Sequence, residues 1–139
     1  MADLPERALQ DNDGAFIDYL WTYWTSAGHQ DAAHIASVKA RLTRPGVLDA
    51  TLAYYRAMLD TAKGDPGLAD LRTLMERPTT VPTLALCGAD DLRNELMIDQ
   101  GRYFTGKYRR KEVAGTGHFL QREKPAEVTR LVLQWLGPA

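Results

Sequence analysis

The chain changes character once, at RPTTVP, residues 77–82. Before this segment every apolar pattern has the period of a helix; after it, short apolar runs alternate with helical ones. That switch constrains the class to α/β, with a helical region over 1–77 followed by a β-α-β-α region over 78–139.

In the first region, DGAFIDYLWTYW places Phe16, Ile17, Leu20, Trp21 and Trp24 on one helical face, with Asp13 as the expected N-cap. DAAHIASVKARL begins at a second capping aspartate, Asp31. RPGVLDATLAYYRAMLDTA repeats Leu48, Leu52, Tyr55 and Leu59 as a helical stripe, broken by Gly64, Pro66 and Gly67. LADLRTLME is expected to form a short last helix ending at Glu76.

In the second region, TLALCG (83–88) is a continuous apolar run stopped by glycine, which fits a buried strand. NELMIDQGRYF reads as a helix. YRRKEVAG (108–115) reads as a strand whose charges suit a sheet edge. KPAEVTRLVLQWL is a helix with Pro125 in its first turn and Val128, Leu131, Val132, Trp135 and Leu136 on one face. The order β-α-β-α implies two parallel strands joined by a crossover. Two are too few for a parallel sheet, which normally needs more strands and cover on both faces. The chain is therefore expected to pair with another copy, or to be one piece of a larger sheet, and to self-associate when alone.

Composition narrows the partners. The 139 residues suit one modest domain, and a net charge of −1 without a basic block points away from nucleic acid and anionic membranes. No apolar run reaches membrane-spanning length. The single cysteine, Cys87, excludes an internal disulfide and suits a cytoplasmic setting; within its apolar strand it reads as a small core residue. His29 and His34 lack helical metal-pair spacing and read as surface residues, and no zinc site or organic cofactor is expected.

Ligands gather at the carboxyl ends of strands in open parallel sheets. There CGADD follows the first strand and GTGH the second, so Asp90 or Asp91 is expected near His118. A carboxylate on one imidazole nitrogen fixes the tautomer and frees the other to take a proton. Equally, a histidine in a Gly-rich turn can serve the backbone alone, and Asp-Asp after glycine can be a cap.

VPTLALCGADD followed by VAGTGHFLQREKPAEVTRLVLQWL resembles the C-terminal portion of α/β-hydrolase proteins, from about Thr80 onward. Gly88-Ala89-Asp90-Asp91 matches that family's G-x-x-D, placing the acid at Asp91. Gly115-Thr116-Gly117-His118 matches its G-x-G-H, with His118 as general base. The preceding helices resemble the cap that such proteins insert ahead of the acid strand, in the style of the epoxide hydrolase and haloalkane dehalogenase branch, which also holds esterases. The resemblance implies hydrolysis of an ester or epoxide on a small apolar molecule. It makes Tyr55 a candidate donor to an epoxide oxygen, against the plainer reading of a tyrosine packed on its helix's apolar stripe with the hydroxyl at the edge. Trp21, Trp24 and Phe16 become candidates to line a substrate pocket, or simply the cap's packing face. Glu95 is a conceivable substitute acid. YRRK (108–111) reads as solvated edge charge rather than a binding patch.

The nucleophile elbow, G-x-S-x-G or a variant with Asp, is not in this sequence; Ser26 and Ser37 fall in expected helices. By the family pattern the chain begins near the start of the cap, and about half of a typical member is absent. The nucleophile is then expected from outside the chain. One alternative is a non-catalytic fragment that binds a ligand or self-associates; another is one half of a split enzyme, completed by a separate N-terminal chain.

Overall fold

The structure, a computed structural model, describes residues 4–29, 31–60, 65–75 and 77–137; Gly64 and Glu76 lie outside them. It divides into two compact units, Met1–Trp21 with Gln30–Leu74, and Thr22–His29 with Met75–Ala139.

Helix α1 (Leu4–Trp24) is interrupted at Asp11–Gly14, where Asn12, Asp13 and Gly14 have φ of 52°, 54° and 68°. Asp13 is therefore not the N-cap the sequence led us to expect. An N-cap needs extended backbone, whereas Asp13 sits in the left-handed region that Asn, Asp and Gly tolerate best. Beyond this break Ile17 and Trp21 are buried, while Phe16 is exposed.

Asp31 does cap α2 (Ala32–Leu42): its Oδ1 accepts the His34 amide at 3.2 Å. In α3 (Val47–Leu59) only half of the apolar stripe is buried. Leu48 and Leu52 join Ile17 and Trp21 in the core of the first unit, whereas Tyr55 is 49% and Leu59 81% exposed. The Arg56–Glu6 pair at 2.5 Å and the Lys39–Asp18 pair at 2.6 Å brace this unit at its surface. A 3-10 turn, Pro66–Leu68, leads into α4 (Ala69–Met75).

The second unit is built on a two-stranded parallel sheet. Strand β1 (Thr83–Gly88) pairs with β2 (Tyr108–Val113), from Thr83 opposite Tyr108 to Gly88 opposite Val113. The crossover contains a 3-10 helix, Asn94–Tyr103, instead of the expected α-helix. Its i→i−3 bonding starts at the Asp91 turn, with Asn94 N on Asp91 O at 2.9 Å and Leu96 N on Arg93 O at 3.0 Å. None of its residues is buried, so no apolar face draws it into the wider α-helical form.

The apolar run of β1 is less covered than expected. Only Cys87 and Gly88 are buried, and Thr83–Leu86 are half-buried, because among the described residues β1 pairs with β2 alone. Val113 and Thr116 are fully buried beside Cys87. Burial pushes the Cys87 thiol up, as suits a core cysteine.

On β2, Arg109 and Lys111 are exposed as expected, but Arg110 is half-buried, paired with Glu112 at 2.9 Å and bonded to the Asn94 side chain. The chain closes with α5 (Leu120–Glu123) and α6 (Pro125–Leu136), the latter begun by Pro125. Val128, Leu131 and Trp135 are half-buried, while Val132 and Leu136 stay exposed. No helix among the described residues is long and apolar enough to cross a membrane.

Candidate functional site

The register brings the carboxyl ends of β1 and β2 level, and the loops that follow are welded by backbone bonds. Ala89 N donates to Val113 O at 3.0 Å, and Asp90 N to Thr116 O at 2.9 Å. Thr116 Oγ1 donates to Val113 O at 2.8 Å from a fully buried position. Gly88 permits this approach: a Cβ there would run into the carbonyl oxygens of Gly117 and Thr116.

Two aspartates reach the rim, and their environments separate them. Asp90 is exposed. The Asp91 side chain is 10% exposed; its Oδ1 accepts the Arg93 amide at 2.9 Å and its Oδ2 lies 3.0 Å from His118 Nδ1. An ionised carboxylate can only accept, so in the tautomer that matches this contact Nδ1 carries the hydrogen and Nε2 is left to accept one. The imidazole is 32% exposed, open enough for a reacting group to reach. Its ring lies 5.2 Å from the Trp24 ring and 5.1 Å from that of Phe119, and the Arg93 guanidinium sits 4.9 Å over Trp24.

The His118 backbone is held as firmly as its ring. Its amide donates to Trp24 O at 2.6 Å. Next to it, Gly117 N donates to both Glu123 oxygens, at 3.1 and 3.0 Å. Glu123 Oε2 also accepts the Ser26 amide at 2.9 Å and the Ser26 hydroxyl at 2.6 Å. Burial would raise the Glu123 carboxyl; the Ser26 hydroxyl, the Gly117 and Ser26 amides and the charge of His29 outweigh it and leave the group below the usual carboxylate range.

With this geometry, the chain can be set beside known proteins. It is 28% identical over 140 residues to the AB hydrolase superfamily protein YfhM of Bacillus subtilis (strain 168), a match covering 98% of this chain and 45% of that protein. The crystal structure of wild-type Cfl2 from Burkholderia cenocepacia superposes with a TM-score of 0.73 at 22% identity, over 95% of this chain and 43% of that one. The chain shares the fold of the matched part of Cfl2, and its helices followed by a two-stranded parallel sheet are consistent with a partial α/β-hydrolase fold with a helical cap. No family profile matches the chain. The chain spans less than half the length of either relative.

Of the other candidates, Trp24 joins His118 in the second unit, whereas Trp21 and Tyr55 belong to the first. Trp21 is 8% exposed, its ring 5.0 Å from that of His34; Tyr55 meets Tyr54 edge-on at 5.5 Å. His29 and His34, expected at the surface, are both half-buried, and His29 Nε2 is fully enclosed. Glu95 is exposed. Ser37 lies in α2, but Ser26 follows α1 instead of lying within it. Among the described residues no cluster of three or more His, Cys, Asp or Glu could hold a metal ion. A concavity of about 760 Å³ runs along α6, lined by residues such as Ala126, Thr129 and Leu133, with neither Asp91 nor His118 in its wall.

Sequence reasoning missed Ser26 and Glu123 as neighbours of the histidine. Glu123 lies in the tail motif HFLQREKP, but nothing in its spacing points to a serine 97 residues earlier.

Proposed function

We propose that Asp91 and His118 are the acid and general base of a hydrolase active site acting on an ester or epoxide of a small apolar molecule. The nucleophile in this reading is a Ser or Asp supplied from outside these 139 residues. The observation behind this reading is the 3.0 Å bond between His118 Nδ1 and Asp91 Oδ2 at the ends of two parallel strands. With a serine nucleophile, Nε2 takes the hydroxyl proton as oxygen attacks the carbonyl, and later returns it to the leaving alkoxide. With an aspartate nucleophile, the carboxylate opens the epoxide carbon–oxygen bond and the released alkoxide takes a proton from solvent; Nε2 then removes a proton from the water that attacks the alkyl-enzyme ester and returns it to the departing diol oxygen as the carboxylate reforms. Asp91 stabilises the imidazolium in both cases, and Trp24 supplies an apolar wall beside the base.

The test mixes the chain with a separately expressed polypeptide carrying a strand, nucleophile elbow and helix, and assays a p-nitrophenyl ester and an epoxide. Hydrolysis by the mixture is expected to fall about 10²–10⁴-fold with His118→Ala, the usual contribution of a general base. Activity that survives that substitution overturns the assignment.

A further inference from the structure

We infer that Glu123 is a positioning residue for the His118 imidazole, because its carboxylate ties Gly117, the residue before the histidine, to Ser26. The inference rests on the reading of His118 as the base. The segments 24–26 and 117–118 are joined from both sides. One link is the His118 amide on Trp24 O at 2.6 Å; the other is the Glu123 carboxylate, which bridges Gly117 N and both donors of Ser26.

The approach leaves no space at Gly117, where a Cβ would collide with Trp24 O, Thr25 C and Ser26 N. The short helix α5 provides the route: it turns the chain back so that Glu123 meets the loop six residues behind it. Removing the carboxylate leaves three half-buried donors without an acceptor. The junction would then loosen at Gly117, the residue before His118. The ring nitrogen aimed at Asp91 Oδ2 depends on that backbone, since a bond of 3.0 Å tolerates little displacement. Ser26 Oγ has its proton committed to Glu123, which gives this serine a supporting place and not a nucleophile's. The depressed Glu123 carboxyl agrees with an ionised acceptor at this junction.

The test reads the histidine directly and needs no turnover. The full chain, with its histidines labelled by ¹⁵N, is compared as wild type, Glu123→Ala, Glu123→Gln, Ser26→Ala and Asp91→Ala, with circular dichroism reporting the fold. Wild-type His118 is expected to show Nδ1–H, and Asp91→Ala, which removes the acceptor, sets the signal for a lost anchor. In Glu123→Ala the Nδ1–H signal should move toward that limit while the helical signal is retained. Glu123→Gln should move less, because its amide oxygen can still accept the Ser26 donors. A folded Glu123→Ala chain with unchanged His118 resonances overturns the inference. Should Glu123→Ala fail to fold, Ser26→Ala decides: a smaller shift in the same direction supports the tie, and an unmoved His118 refutes it. These outcomes do not depend on hydrolysis, so failure of the hydrolase reading leaves them interpretable.

Discussion

Gly88→Ala is the substitution that asks most of this fold for the fewest atoms. Gly88 ends β1 opposite Val113, and the obstructing atoms are the backbone oxygens of Gly117 and Thr116. No side-chain rotation can relieve the clash. Either the loops stay and the junction is overpacked, or the 114–118 loop retreats. Overpacking costs about 1–3 kcal/mol. Retreat breaks the Asp90 N–Thr116 O and Thr116 Oγ1–Val113 O bonds, at about 1 kcal/mol each. The two routes are alternatives, so the expected loss is about 2 kcal/mol, a large share of the roughly 5–15 kcal/mol that holds a domain folded. With a urea dependence of about 2 kcal/mol per molar, the unfolding midpoint should fall by about 1 M, at unchanged slope. The same displacement should weaken the His118 Nδ1–H signal, because Asp91 and Gly117 flank the junction. A midpoint within about 0.3 M of wild type would refute the close-approach account of this glycine.

Other consequences are checked more simply. Glu123 is held below its ordinary 4.5, so the unfolded chain binds its proton first as pH falls. Its contribution is then fully present above about pH 4.5 and is lost as pH drops through the lower folded value; urea midpoints across this range should slope less in Glu123→Gln than in wild type. Asp31→Ala should destabilise the α2 start by about 1 kcal/mol, read as a lower urea midpoint by circular dichroism; an unchanged midpoint would mean that the cap bond is dispensable. We propose that the isolated chain self-associates through apolar surface such as Leu96, Ile98, Leu133 and Leu136 in the second unit, each more than half exposed; a sharp monomer in light scattering at all concentrations would sink this.

Much of the second unit was legible because its signals are local. A six-residue apolar run closed by glycine makes β1, and Pro125 ahead of an apolar stripe makes α6. The Asp31 cap needed only the residue type and the helix behind it. The misreadings come from places where two local preferences compete. Asp13 has the chemistry of an N-cap and also the tolerance for positive φ, and next to Asn12 and Gly14 the left-handed turn wins. Asn94–Tyr103 has helical spacing, yet it buries no face and keeps the tighter 3-10 bonding of its first turn.

The rim between the strands shows how far a short motif can carry physical content. Residue type and topology leave Asp90 and Asp91 equivalent, and only the G-x-x-D resemblance favours Asp91; the fold distinguishes them by turning Asp91 inward onto the Arg93 amide and His118. The glycines of GTGH also divide the work. Gly115 adopts φ of 59°, the left-handed angle a turn demands, whereas Gly117 is required for space, where the 24–26 backbone passes. Residue spacing alone could suggest the first role but not the second, because the second depends on a segment over 90 residues away. The histidine's backbone is thus fixed by distant partners and its ring by the neighbouring strand end. Under the proposed reading of His118 as a base, the open position is Nε2, and hydrolysis gained by adding a nucleophile-bearing polypeptide, and lost again with His118→Ala, is the result that reading requires.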